Sequence, residues 1–197
     1  MLSVALATED ELSEAVGRRM LLDSYPHIAV DPLIRRSGSG YLSSRMSKWC
    51  EIAEHQPLLL LTDLDQSRCA PSLIRAWLGR RPQPPQLIFR IAVREVEAWL
   101  LADHEAMHAF LGRTARLPKD PDAVADPKRY LLDLAKHAKR AVRDDLLASE
   151  GAIASQGLGY NTRLSAFVES EWDPHRAAVR SKSLQRALTR ISDLALR

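Results

Sequence analysis

Four consecutive leucines, Leu58–Leu61, follow Pro57 and limit the choice of fold more than any other segment of the chain. A strand that is apolar on both faces is typical of the interior of a parallel sheet, because helices cover both sides of such a sheet. The run is far too short to span a bilayer. It leads directly into Asp63 and Asp65. The leucines therefore predict a central, buried strand of an α/β protein that ends in two acidic residues.

Three other short apolar segments, 2–7, 27–30 and 86–93, have the composition of strands. Helical patterns separate them, so that strand and helix alternate four times before Gly112. Such alternation predicts a parallel sheet with right-handed crossover connections. In the last of these units we expect one helix that begins near Arg94 and continues to Gly112.

The chain changes character after Leu117, where prolines interrupt a loop and only helical patterns follow. We expect these later helices at about 128–149, 160–170 and 183–195. The sequence therefore predicts an α/β fold with a parallel sheet of about four strands over residues 1–115. An all-helical C-terminal extension, residues 116–197, is expected to pack on it.

Composition excludes several classes of protein. With 197 residues, of which 46% are hydrophobic, the chain can bury a core without metals or disulfides. The two cysteines, Cys50 and Cys69, have no partner at zinc-ligand spacing. Acidic residues at 9–11 occupy the place where a signal peptide would be apolar. We therefore expect a cytoplasmic protein that does not associate with a membrane.

Acidic residues follow three of the four predicted strands. Glu9 comes after the first strand, Asp63 and Asp65 after the third, and Glu95 and Glu97 after the fourth. The carboxyl ends of parallel strands form the edge of the sheet at which ligands bind. Carboxylates gathered there repel each other unless a cation neutralises them, and hard oxygen ligands suit Mg²⁺ or Mn²⁺. The pattern therefore predicts a divalent-metal site at this edge.

The five acids differ in the roles that the pattern allows. Asp63 and Asp65 alternate along a strand end, so both side chains are expected on one face. Glu97 is preferred to Glu95 for the site, because the buried stripe of the following helix lies beside it. The alternative is structural: Asp63 caps the next helix and Asp65 forms an Asx turn. Glu95 and Glu97 then stabilise the first turn of a helix.

Glu9, the Asp63-x-Asp65 pair and the alternating strands resemble the TOPRIM domain of topoisomerases, primases and the OLD-family nucleases. More narrowly, the segments 8–16, 91–103, 126–132 and 157–161 resemble small stand-alone TOPRIM-like bacterial proteins of unknown function. Such proteins are often encoded beside an ATPase of the AAA or ABC type, in settings that suggest phage or plasmid defence. The resemblance implies a Rossmann-like TOPRIM fold.

The resemblance also implies an activity and a set of roles. It implies a metal-dependent nuclease, an endonuclease or nickase that hydrolyses DNA phosphodiesters with Mg²⁺ or Mn²⁺. Asp63 and Asp65 would bind the first ion, and Glu9 would act as ligand or general base. Glu97, with Glu95, would serve a second ion, because two such ions can neutralise a phosphate and polarise a water. The sequence has no Walker-type phosphate loop, so the ATPase would act in trans.

Basic residues near these acids are expected to contact nucleic acid, most directly the phosphate backbone. Their positions are Arg35 and Arg36 before a Gly-Ser loop, Arg94 beside the acids, and Lys128 and Arg129 at the start of a later helix that could fold over the site. A solvated surface is the alternative for each of them. The sequence leaves a homodimer open.

One departure from the domain's pattern supports a different function. The TOPRIM domain commonly has glycine after its glutamate, whereas this chain has Asp10. The alternative to a nuclease is therefore a non-catalytic regulatory subunit that binds metal or nucleic acid through a degenerate site.

Overall fold

A computed structural model describes residues 3–35, 38–149, 151 and 154–196 of the protein. Four strands form one all-parallel sheet in the order β2-β1-β3-β4: β1 (Ser3–Thr8), β2 (Ala29–Arg35), β3 (Leu58–Asp63) and β4 (Leu87–Ala92). This architecture confirms the predicted α/β class and the number of strands. It is consistent with a Rossmann-like arrangement.

Helices and the loops between them make up the remainder of the described chain. The α-helices are α1 (Glu11–Ser24), α2 (Ser39–Ser44), α3 (Met46–His55), α4 (Ala70–Leu78), α5 (Val96–Ala102), α6 (His104–Leu111), α7 (Pro127–Ala135), α8 (Arg140–Leu146), α9 (Tyr160–Ser170), α10 (Pro174–Ala178) and α11 (Lys182–Ser192). Short 3₁₀ turns span Pro121–Ala123 and Asp193–Leu196. In the part of the chain covered by the structure, no helix combines the length and the hydrophobicity needed to cross a bilayer.

The leucine run forms the buried centre of the sheet, as predicted. Leu58 and Leu60 face a smaller core built with α2, α3 and α4. Leu59 and Leu61 face the opposite way, into a larger core with α1, α5 and the C-terminal helices. Alternate side chains of a strand point to opposite faces, so a strand buried on both sides needs an apolar residue at every position.

The C-terminal helices share the larger core with the α/β part of the chain. Helix α9 packs against α1, α10 against α5, and α11 against β4. Trp172 is fully buried there, and its indole nitrogen donates a hydrogen bond of 3.1 Å to the carbonyl of Trp99. One continuous apolar core therefore holds the helical extension on one face of the sheet.

Several element boundaries differ from the sequence-based expectations. Strand β2 begins two residues later than the expected 27–30 and continues beyond Val30 to Arg35. The helix expected from Arg94 to Gly112 is two helices, because Asp103 ends α5 and caps α6 by accepting a hydrogen bond from the Ala106 amide. The helix expected over 128–149 is also two, α7 and α8.

Candidate metal site at the carboxyl edge of the sheet

The described structure places the predicted acids at one edge of the sheet. Glu9 directly follows β1, Asp63 is the last residue of β3, and Glu95 and Glu97 begin α5 after β4. Strand β3 lies between β1 and β4, and Asp63 is in register with Ala92, the last residue of β4. We refer to Glu9, Asp63, Asp65, Glu95 and Glu97 as the acidic cluster.

Glu9 is held against the end of β3. Its Oε1 atom accepts hydrogen bonds from the Thr62 hydroxyl and, at 3.3 Å, from the Asp63 amide. Burial raises the pKa of Glu9, although both hydrogen bonds oppose this shift. Thr62 is itself fully buried and was not identified from the sequence. The only sequence signal for Thr62 was its position directly before Asp63, because a hydroxyl group at the end of a strand can donate a hydrogen bond to a nearby carboxylate.

Asp63 joins β3 to the first turn of α5. Its Oδ1 atom accepts a hydrogen bond of 3.0 Å from the Val96 amide, whereas Oδ2 has no partner among the described residues. Burial raises the pKa of Asp63 well above its usual range, and the negative charges of Glu97 and Glu9 add to the shift. Asp63 thus caps a helix that begins 33 residues later in the chain, and it keeps one oxygen for a ligand.

Asp65 does not share the environment of Asp63. The strand ends at Asp63, and Asp65 lies in the following loop with a left-handed backbone (φ 47°) and an exposed side chain. The expectation that both acids leave one face of a continuing strand was therefore wrong. The charge of Asp65 still raises the pKa of Asp63, Glu9 and Glu95, although it is a lesser cause in each case.

Glu97 is buried and contacts the C-terminal extension. It is only 4% exposed, and its Oε1 atom accepts a hydrogen bond of 2.7 Å from the Tyr160 hydroxyl at the start of α9. Burial raises the pKa of Glu97 to about 7, despite this hydrogen bond. The preference for Glu97 over Glu95 as the metal-site residue stays a prediction.

Glu95 faces a different helix of the extension. Its Oε2 atom accepts a hydrogen bond of 2.9 Å from the Lys128 amide, in the first turn of α7. Burial raises the pKa of Glu95, and the Lys128 amide opposes the shift. The Lys128 ammonium lies 4.9 Å from the centre of the Tyr160 ring. Helices α7 and α9 therefore close over the acids from the C-terminal side.

The acidic cluster makes no ion pair with a cation in the described part of the chain, although the charge of Lys128 lowers the pKa of Glu95 and Glu97 against the larger effect of burial. None of its five carboxylates lies within ion-pair distance of a lysine, arginine or histidine. Like charges that are partly desolvated raise each other's pKa, which is the pattern seen at Asp63 and Glu97. A cation bound among these carboxylates would therefore reduce their mutual repulsion and favour their ionised form.

The chemistry of the cluster fits Mg²⁺ or Mn²⁺, since all its donors are hard carboxylate oxygens. The positions of these carboxylates fit a metal ion only in part. Within residues 3–35, 38–149, 151 and 154–196, no three His, Cys, Asp or Glu side chains are already grouped to hold an ion. Asp63 Oδ2 is available, whereas Glu9 and Glu97 each have one oxygen bound by a hydroxyl.

The basic residues proposed to contact nucleic acid are placed differently from one another. Arg35 pairs with Glu14 at 3.5 Å, and Arg129 pairs with Asp133 at 3.4 Å. Arg94 donates from Nη1 to the carbonyls of Asp65 and Ser67, each at 2.9 Å, and so holds the loop after β3. Arg36 lies outside the described residues. Of the described four, Arg94 and Lys128 make no ion pair.

Tyr160 is positioned by a close contact between two backbones. The Gly157 amide donates a hydrogen bond of 2.8 Å to the Leu146 carbonyl at the end of α8. A Cβ atom on Gly157 would lie 2.5 Å from the Asp145 carbonyl oxygen and 2.7 Å from that of Leu147. Only glycine therefore fits here. The Gly-Leu-Gly-Tyr run in the sequence was the available signal for this contact.

Gly157→Ala is expected to lower the free energy of unfolding by about 1–3 kcal/mol, because the methyl group forces two backbones apart. The matched control is Gly40→Ala, in α2, where nothing lies within 4 Å of an added Cβ and stability should not fall. Urea denaturation of both variants checks this prediction. Equal stability of the two variants would contradict it.

Comparisons of the chain with protein-family models, with curated proteins and with solved structures found no match. The geometry of the acidic cluster and the sequence pattern that produces it are therefore the grounds on which a function can be argued.

Proposed function

We propose that the protein is a metal-dependent, TOPRIM-like nuclease that hydrolyses DNA phosphodiesters. One observation carries the proposal: carboxylates that follow three strands lie at the carboxyl edge of a parallel sheet, and none of them forms an ion pair in the described part of the chain. A structural role as helix cap explains Asp63 alone. It does not explain why Glu9 and Glu97 are partly desolvated beside it.

Asp63, Asp65 and Glu9 are the residues that would hold a first Mg²⁺ or Mn²⁺, with Glu97 and Glu95 serving a second. Such ions would neutralise the scissile phosphate and lower the pKa of a bound water. Because the described carboxylates are not grouped in threes, small side-chain movements would accompany binding. Asp65, which is exposed, has the freedom to make such a movement.

The chain itself supplies proton transfer and substrate contacts. Glu9 has a raised pKa, which makes it a better proton acceptor than an ordinary surface carboxylate. The Lys128 ammonium, which lies over the Tyr160 ring, would contact a phosphate oxygen of the substrate. In this role the helical extension contributes to the reaction as well as to the core.

The wider setting of the proposal comes from the sequence resemblance. A small TOPRIM-like protein of this kind would act with an ATPase of the AAA or ABC type in a bacterial defence system. The given sequence has no Walker-type loop, and in this proposal the ATPase acts in trans.

A second candidate function is a regulatory subunit that binds metal or nucleic acid without cleaving. The hydroxyls of Thr62 and Tyr160 favour it, because they already occupy one oxygen of Glu9 and one of Glu97. In that case the ion would organise the edge of the sheet and no water would be activated.

Cleavage of supercoiled plasmid in Mg²⁺ or Mn²⁺ tests the proposal directly. We expect the wild-type protein to nick the plasmid, and Asp63→Asn to lose about 10- to 100-fold of that rate, since it removes one negative ligand. The asparagine can still accept the hydrogen bond from Val96, so the fold should be retained. Asp144→Asn, which alters an exposed acid of α8, is the matched control and should cleave normally.

Calorimetric titration with Mn²⁺ separates the two functions. Binding that Asp63→Asn weakens, without cleavage of plasmid by either protein, would identify the regulatory subunit. Cleavage that is equal in wild type and Asp63→Asn would remove the nuclease assignment to this site.

A further inference from the structure

Leu158 is a fully exposed leucine in the turn that leads into α9. Its relative solvent exposure is 108%, so the whole side chain is in contact with water. Among the described residues, the other large apolar side chains at the surface, Val179 and Leu33, are 80% and 40% exposed. Single apolar residues are common on protein surfaces, so the exposure of Leu158 becomes informative only through the structure that holds it there.

The turn around Leu158 is held against the end of α8 on both sides of the leucine. A Cβ atom on Gly157 would lie 2.5 Å from the Asp145 carbonyl oxygen, and one on Gly159 would lie 3.1 Å from the Asp145 Cβ atom. The Gly159 carbonyl also accepts a hydrogen bond of 2.8 Å from the Arg163 amide in the first turn of α9. The leucine therefore projects into solvent from a backbone that is fixed by its contacts.

This turn is directly connected to the acidic cluster. Tyr160 follows Leu158 by two residues, and its hydroxyl donates a hydrogen bond of 2.7 Å to Glu97. The Lys128 ammonium lies 4.9 Å from the centre of the same tyrosine ring. Because two residues span at most about 7 Å of backbone, a DNA molecule bound at the acidic cluster would pass within a few base pairs of the leucine.

The charged side chains around the turn favour a polyanionic partner. Helix α8 and the first turn of α9 carry three cationic and two acidic side chains, and a fourth cation lies over the Tyr160 ring: Arg140, Arg143, Arg163 and Lys128 against Asp144 and Asp145. Excess positive charge beside an exposed apolar side chain matches duplex DNA, in which phosphates surround an apolar stack of bases.

Proteins that distort DNA can insert a leucine or another apolar side chain between base pairs and unstack one step. We propose that Leu158 is such a wedge, which enters the base stack of a DNA duplex bound at the acidic cluster and unstacks a step near the cleaved phosphate. The fixed turn supports this role, because a side chain on an ordered backbone loses little conformational freedom on binding. The inference rests on the proposed function and names duplex DNA as the substrate that the extension contacts.

A short duplex with several 2-aminopurine bases in one strand tests the wedge, because the fluorescence of this base rises when it unstacks. The titration uses Ca²⁺ in place of Mg²⁺, so that binding is measured apart from hydrolysis. We expect the wild-type protein to raise the fluorescence about twofold, and Leu158→Ala to leave it unchanged and bind about tenfold more weakly, the value of burying one leucine side chain. Leu158→Phe should retain both effects. Val179→Ala, which shortens another exposed apolar side chain, is the matched control and should act as the wild type does.

Urea denaturation accompanies these titrations. Leu158 buries no surface in the protein, so Leu158→Ala should be as stable as the wild type, and its weaker binding cannot then be attributed to unfolding. Fluorescence that does not rise with the wild-type protein, or that rises equally with Leu158→Ala, would overturn the wedge and assign the exposed leucine to a protein contact.

Cleavage of plasmid keeps the wedge and the nuclease distinguishable. Cleavage by the wild-type protein without unstacking of 2-aminopurine would retain the nuclease and remove the wedge. Unstacking that depends on Leu158, without cleavage in Mg²⁺ or Mn²⁺, would support the wedge and favour the regulatory subunit that binds nucleic acid.

Discussion

Glu97→Gln is expected to become progressively more stable than the wild-type protein as the pH rises. Between pH 5 and pH 8, the difference in the free energy of unfolding should grow by about 2–3 kcal/mol in favour of the variant. The reason is that Glu97 must ionise in a buried site, whereas glutamine carries no charge and can still accept the hydrogen bond from Tyr160.

The direction follows from the two pKa values of Glu97. An unfolded chain releases this proton near the ordinary value of 4.5, whereas the folded protein retains it until about 7. The folded state therefore binds the proton more tightly. Its contribution to stability is complete below the unfolded pKa and is lost as the pH rises through the folded one. Asp63, whose pKa is also raised, should give a loss of the same sign.

Urea denaturation at a series of pH values measures this effect. Glu105→Gln, in which the side chain is 79% exposed, is the matched control and should run parallel to the wild type. Added Mg²⁺ should restore stability to the wild-type protein at pH 8 and have less effect on Glu97→Gln, because an ion that binds only the folded acidic cluster stabilises it. A constant difference between Glu97→Gln and wild type across the pH range would contradict the burial of an ionisable Glu97.

The sheet edge could be predicted because its signals are local. A strand that is apolar at every position, as at Leu58–Leu61, indicates burial on both faces, and the residue after a parallel strand lies at the carboxyl edge. Glu9 and Asp63 were therefore placed correctly relative to the sheet. Asp65 was not, because the strand ends before it and its backbone turns into the left-handed region. The alternation of side-chain directions along a strand does not predict the direction of a side chain that lies beyond the last residue of the strand.

The partners from the helical extension could be predicted only in part. The start of α7 was expected to fold over the site, and the Lys128 amide does bind Glu95. Tyr160 lies 63 residues from Glu97 in the chain, and no periodic pattern indicates which acid a distant hydroxyl meets. Such contacts are set by how helices pack, which depends on side-chain shapes across the core rather than on the local sequence.

Asp103 shows most clearly what the local pattern omits. It falls inside the segment expected to form one helix from Arg94 to Gly112, yet its side chain is fully buried. Its Oδ1 atom accepts from the Ala106 amide, which starts a new helix, and its Oδ2 atom accepts from the Asp173 amide. Both oxygens also accept from Arg176, at 3.0 and 2.8 Å. The break between α5 and α6 therefore provides a polar attachment of α10 to the α/β part, in addition to the shared apolar core.

Asp103→Ala should consequently lower the free energy of unfolding by about 2–4 kcal/mol, mainly the cost of leaving two backbone amides without an acceptor. The ion pair adds less, because the Arg176 side chain is 38% exposed. The substitution leaves the amides of Ala106 and Asp173 without acceptors and Arg176 without its bidentate partner. Glu105→Ala is the matched control, because Glu105 approaches the same arginine at 3.8 Å from an exposed position, where an ion pair contributes little. Urea denaturation should separate the two variants by at least about 2 kcal/mol. If they lose the same stability, α10 is held by apolar packing alone, and the proposed attachment of the extension through Asp103 is wrong.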